Sequence, residues 1–139
     1  MKQIKIIMDT NVLYSGLYSS KGASFRILRA LSENRIMLVI STALLFEYED
    51  VLKRNKRKLG LSNHDIDVIL DNICGFSEHP QIHFLWRPFL SDPKDDHILE
   101  LAVASGVQTI VTYNIRHFRN IEQFGIRAIK PQKLLEEMK

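Results

Sequence analysis

The chain has a single cysteine, Cys74, among its 139 residues, so no disulfide can form within it. A domain built without such bridges suits a reducing compartment. Long apolar runs are missing as well. The longest uninterrupted one is Ile36 to Ile40, far below the ~20 residues of a membrane helix. The start of the chain does not read as a secretory leader, because Lys2 and Lys5 flank too little apolar sequence and Asp9 interrupts it. No G-x-G-x-x-G or P-loop pattern occurs, so dinucleotide and nucleoside triphosphate sites are not indicated. His79 and His83 are four apart, but Pro80 would break a helix aligning them and no cysteine pair accompanies them, which argues against zinc. Cys74 has no histidine at a recognisable motif spacing, so a thiol nucleophile is weakly supported. The expectation is a soluble, cytoplasmic protein.

The composition is that of a globular domain. At 45% hydrophobic and 25% charged residues, disorder and fibrous repeats are excluded. The length corresponds to one domain, read as residues 1–139, with enough chain to bury a core. Charge is unevenly spread. Lys53, Arg54, Lys56, Arg57 and Lys58 fall within six residues, and taking these five from 19 basic residues leaves 14 against 16 acidic ones. The basicity is therefore one dense patch on a slightly acidic body. Such a patch either follows a phosphate backbone or ends a helix and complements its dipole.

Apolar periodicity alternates between two kinds. Ile4 to Met8 and Ile36 to Ile40 are short buried strands, and Thr109 to Val111 and Ile126 to Ile129 continue the series. A short strand is expected at 82–85, between Pro80 and Pro88. Helical spacing marks 24–31, with Ile27, Leu28 and Leu31 inward. Ser41 caps a helix with the stripe Leu44, Leu45, Tyr48, Val51 and Leu52, and Ser62 opens another with Ile66, Ile69, Leu70 and Ile73. Asp92-Pro93 starts a helix carrying Ile98, Leu99, Ala102 and Val103 up to Gly106, and Pro131 begins the last. Strands separated by helices give βαβ units, hence a three-layer α/β/α sandwich around a parallel sheet of four to five strands.

Ligands of open α/β sheets bind beyond the carboxyl ends of the strands. Acids placed there are the informative ones. Asp9 follows the first strand, where it either caps the next helix or does chemistry. Glu47 lies at the edge of its helix's buried stripe, so it needs a positive partner, either an arginine or a metal. In the third cluster, Asp92 reads as an N-cap and Asp95 as the N3 acid of a capping box, which leaves Asp96 over. Three carboxylates at one sheet edge repel unless a cation lies between them, and such oxygen ligands suit Mg²⁺ or Mn²⁺.

Four stretches resemble the motifs of the PIN-domain family: Ile7 to Leu13 around Asp9-Thr10-Asn11, Ser41 to Leu52 around Glu47, Asp92 to Ala102 around Asp96, and Val111-Thr112-Tyr113-Asn114. In order and at these spacings they cover nearly the whole chain, and the nearest branch is the VapC-like toxins of bacterial toxin–antitoxin pairs. The resemblance implies a metal-dependent endoribonuclease that cleaves single-stranded RNA with a metal-activated water. Asp9, Glu47 and Asp96 would be its catalytic acids and hold Mg²⁺ or Mn²⁺, with Asn114 a further ligand. Thr10, Asn11 and Ser41 would orient water or phosphate, and Thr112 would support the site by hydrogen bonding. Lys53, Arg54, Lys56, Arg57 and Lys58 would contact the RNA. A small antitoxin protein is the implied partner, and members commonly dimerise, although no residue here specifies that interface. Asn114 departs from the family, where many members carry aspartate, and this puts a second tightly held metal in doubt. A phosphohydrolase with a strand-end aspartate ranks lower, because it needs a second acid where Asn11 stands. A catalytically silent PIN-like module that binds RNA or protein is the alternative.

Overall fold

Ile6, Ile7 and Met8 are fully buried, and they end the strand on which the sheet is built. In the computed structural model, which describes residues 3–81 and 95–139, this strand is β1 (Ile4–Met8). The others are β2 (Ile36–Val39), β3 (Ser77–Glu78), β4 (Thr109–Val111) and β5 (Arg127–Ile129). All pair in parallel, in the order β3-β2-β1-β4-β5. The helices are α1 (Thr10–Tyr18), α2 (Ala23–Ser32), α3 (Thr42–Arg54), α4 (Lys56–Leu59), α5 (Asn63–Gly75), α6 (Asp96–Ser105) and α7 (Pro131–Glu137). The result is an α/β/α sandwich. Its centre is Ile6 to Met8, Leu38 to Ile40, Ile110 and Val111, covered by Leu44, Tyr48 and Leu52 of α3 and Ile98 and Leu99 of α6. Each fully buried aliphatic side chain there contributes about 1.5–3 kcal/mol. Among the described residues, no helix is long and apolar enough to cross a membrane.

Three elements differ from expectation. Helix α1 follows β1 at once, and its buried face is Val12, Leu13 and Gly16, so a glycine stands where the apolar period would show. Strand β3 is only Ser77 and Glu78, recognisable by its register with Leu38 and Val39. The strand expected at 82–85, and Asp92-Pro93, lie outside the described residues. Helix α6 runs from Asp96, with Asp95 just ahead of it in helical backbone geometry, and the capping box expected between Asp92 and Asp95 lies partly outside the described residues.

Gly16 sets how closely α1 and α2 approach. A methyl group there would lie 2.6 Å from Leu28 Cδ1 and 3.1 Å from the Ser24 carbonyl carbon. Gly16→Ala gains about 1 kcal/mol of helix propensity, but overpacking of this kind costs about 1–3 kcal/mol. Backbone blocks one side, so the cost wins. A lower urea midpoint with an unchanged m-value is the expected result, and a raised midpoint would show that the two helices can separate freely.

Candidate metal and nucleic-acid site

In the order β3-β2-β1-β4-β5 the chain leaves β1 toward β2 on one side and returns to β4 on the other. A crevice opens at the carboxyl ends of such neighbours. The cleft found there has a volume of about 480 Å³ and is lined by Asp9, Thr10, Asn11 and Tyr14 from β1 and α1, and by Glu47, Val51 and Asn55 from α3 and its end. Asp95, Asn114 and His117 complete it. The topology thus brings residues distant in sequence to one edge of the sheet.

Asp9 is 6% exposed and serves two purposes. As N-cap of α1 it accepts the Thr10 amide on Oδ1 at 2.8 Å, and Oδ2 accepts the Thr112 hydroxyl at 2.6 Å. The Asn11 amide nitrogen is 3.4 Å from Oδ2, while Asn11 Oδ1 accepts the Tyr113 amide at 3.3 Å. Burial, and then the charge of Glu47, push the Asp9 carboxyl above its ordinary range, against the hydrogen bonds from Thr112 and Thr10. Glu47 accepts the Thr10 hydroxyl on Oε2, and its Oε1 lies 3.2 Å from His97 Nε2. Among the described residues, Glu47 thus meets a hydroxyl and an imidazole.

The third acid in the cleft is Asp95. Its Oδ2 lies 3.0 Å from His117 Nδ1, and its side chain is 13% exposed. Asp96, singled out from the sequence, is fully buried and does not line the cleft. Ile98, Leu99 and Ala102 stand at i+3, i+4 and i+7 from Asp95, which therefore shares their helix face and opens at its end onto the cleft, whereas Asp96 beside it is enclosed. Ser41 also takes another place. Its Oγ accepts the Leu44 amide at 3.1 Å as the N-cap of α3, and it is absent from the cleft wall. Thr112 is fully buried, bonded to Asp9 and accepting the Asn114 amide at 2.9 Å. His97 and His117 were not singled out from the sequence, where neither stands in a motif spacing.

Of the basic run, Lys53 pairs with Glu49 and Asp67, at 3.2 and 3.6 Å, and Arg54 pairs with Asp50 at 2.9 Å. These two are engaged along α3 and with α5. Lys56, Arg57 and Lys58 form the exposed face of α4, next to the cleft residue Asn55.

The donors around the cleft are hard oxygens, which fits a divalent cation such as Mg²⁺ or Mn²⁺. Repulsion between Glu47 and Asp9 is the feature that such a cation would relieve. Among the described residues, no three His, Cys, Asp or Glu side chains close around one point. Within those residues the carboxylates are bonded to Thr10, Thr112, His97 and His117.

Tyr48 fixes the spacing of the first two acids. Fully buried beside Glu47, it donates its hydroxyl to the Met8 carbonyl at the end of β1. Burial and the charges of Asp9 and Glu47 hold its phenol well above the usual tyrosine range, so it stays a donor. Tyr48→Phe should lower the unfolding free energy by about 1–3 kcal/mol, the cost of an orphaned buried carbonyl. Denaturant unfolding checks this. An unchanged stability would mean that the carbonyl finds another partner.

A parallel sheet with an acid-lined cleft at its topological switch point defines an α/β/α protein whose candidate site lies at the carboxyl ends of β1 and β4. Residues 5–116 match the PIN domain family, and the chain belongs to it. Members of that family are generally nucleases that depend on divalent metal. No curated protein matches the chain. Among solved structures, a chain of the crystal structure of VapBC2 from Rickettsia felis, bound to a DNA fragment from their promoter, shares the fold with a TM-score of 0.63. It is 18% identical, and the match covers 90% of this chain and 97% of that one.

Proposed function

We propose that the protein is a Mg²⁺- or Mn²⁺-dependent endoribonuclease acting on single-stranded RNA. The observation that carries this reading is the cleft lined by Asp9, Glu47, Asp95 and Asn114 at the switch between β1 and β4. These residues would hold the ion, with Asp95 replacing the Asp96 of the sequence reading. When bound, the ion would neutralise charge on the attacked phosphate and acidify water there. Thr112 and the Thr10 amide fix the rotamer of Asp9, and the Thr10 hydroxyl and His97 fix that of Glu47. Asn11 joins Asp9 to the backbone after β4 and so holds the two sides of the cleft in register. The exposed cations of α4 would take the RNA backbone.

The fold shared with a VapBC2 chain supports a place in a toxin–antitoxin pair, with a small antitoxin protein as partner, and a homodimer is the proposed assembly. Co-purification with the product of an adjacent small reading frame tests the antitoxin, and light scattering the homodimer. Asn114, an amide among three carboxylates, favours a second reading, a silent module that binds RNA without cutting it. Cleavage of single-stranded RNA with added Mn²⁺ against EDTA, beside a binding assay without metal, separates the two. Cleavage that disappears with EDTA supports the nuclease. Metal-independent binding without cleavage supports the silent module.

A further inference from the structure

Beyond the acids, the cleft continues along α1. Tyr14 is part of its wall, and the Tyr18 ring stacks on Tyr14 with centroids 5.9 Å apart and planes 19° from parallel. Tyr18 is 62% exposed, although it is a large ring on a helix whose other face is buried. Tyr14 and Tyr18 are four residues apart, and such a pair steadies a helix by only a few tenths of a kcal/mol. That leaves the exposed ring of Tyr18 unexplained. Helix α1 packs against α4, so the aromatic pair and the exposed Lys56, Arg57 and Lys58 belong to neighbouring helices beside one cleft. Cations for phosphates and an aromatic face for bases are the two components of single-strand binding sites. In a duplex the base faces are already stacked on one another and cannot meet a side chain, so an aromatic face selects unpaired strands.

We propose that Tyr18, backed by Tyr14, is a base-stacking platform for single-stranded RNA whose backbone lies on α4 and leads into the carboxylate cleft. The proposal rests on the nuclease reading above and specifies how its substrate is held. Tyr18 stands eight residues beyond Thr10, roughly 12 Å along the helix axis. The stacked base therefore belongs to a neighbouring nucleotide, not to the one whose phosphate meets the acids.

The test is fluorescence anisotropy without metal, using a short labelled mixed-sequence RNA and the corresponding abasic ribose-phosphate chain. Tyr18→Ala should weaken RNA binding about tenfold and leave binding of the abasic chain unchanged, while Tyr18→Phe should bind RNA like the wild type. The salt dependence of Tyr18→Ala should match the wild type, because no phosphate contact is lost. Replacing Lys56, Arg57 and Lys58 by alanine should instead flatten it, by about 0.7 in log–log slope per contact. If Tyr18→Ala weakens RNA and abasic chain equally, the ring acts through the fold and the platform is overturned. Equal RNA binding by wild type and Tyr18→Ala also overturns it, leaves the nuclease reading standing, and turns the exposed ring toward a protein partner. A wild type that neither binds nor cleaves single-stranded RNA removes both.

Discussion

Asp9→Asn is expected to abolish cleavage and, in the absence of metal, to make the protein more stable. The carboxyl of Asp9 is almost completely buried, and burial together with the charge of Glu47 raises its affinity for a proton. An acid whose native pKa lies above its unfolded value binds more protons in the native state, so its contribution to stability falls as pH rises through that window. At neutral pH the charge is therefore a cost. Asparagine keeps the oxygen that caps α1 and accepts the Thr10 amide, and caps as well as aspartate does. It removes the charge, and its Nδ2 takes the place of Oδ2, so the Thr112 hydroxyl must turn from donor to acceptor there and part of the gain is lost. A net gain at neutral pH follows, because burial of the charge is the largest cause of the shift and outweighs the hydrogen bond from Thr112. The gain should shrink as pH falls through the carboxylate range. Metal reverses the order. A ligand bound only by the native state stabilises it by about 2.7 kcal/mol at a hundred times its Kd, and the variant should lose this gain. Cleavage should fall by more than ~100-fold, beyond the effect of removing an outer partner of a ligand. Urea unfolding with and without Mn²⁺, at neutral and mildly acidic pH, reads all of the stability effects together. Equal Mn²⁺ stabilisation of wild type and variant would remove Asp9 from the metal site.

The parts of the fold that could be read from the sequence are those in which burial leaves a periodic trace. β1 and β2 are short apolar runs because helices cover both faces of the sheet. α3 and α5 show apolar stripes with Ser41 and Ser62 at their caps, and the capping box between Ser62 and Asp65 is present. α1 left no such trace, because Gly16 takes an inward position through close helix contact instead of through apolar bulk. β3 consists of two polar residues, and only its pairing with β2 defines it. In the candidate site, Asp9 was legible because a strand end fixes the position of the next residue. Glu47 was legible because an acid beside a buried stripe demands a partner. His97 and His117 reach Glu47 and Asp95 only through the tertiary fold, across sequence separations that no local pattern encodes.

The choice between Asp95 and Asp96 turns on the start of one helix, and it gives the second large expected effect. With α6 beginning at Asp96, Asp95 takes the N-cap position, but its side chain makes no capping hydrogen bond. It turns to His117 in the cleft wall instead. Asp95→Asn keeps an oxygen for the imidazole N–H and removes the charge from the cleft. It should eliminate the Mn²⁺-dependent gain in stability and lower cleavage by more than ~100-fold, as for Asp9. Asp96 is fully buried in the first turn of α6, where a carboxylate complements the positive end of the helix. That interaction is worth about 0.3–1 kcal/mol near a surface and up to ~2 kcal/mol in buried geometries. Asp96→Asn should therefore lower apo stability by an amount in that range and leave the Mn²⁺ increment intact. Measuring the increment, and not the melting temperature alone, separates the two roles, because a general loss of stability affects apo and metal-bound protein alike. The opposite outcome, with the Mn²⁺ gain lost in Asp96→Asn and kept in Asp95→Asn, would return the third ligand to Asp96 and require α6 to rotate on binding metal.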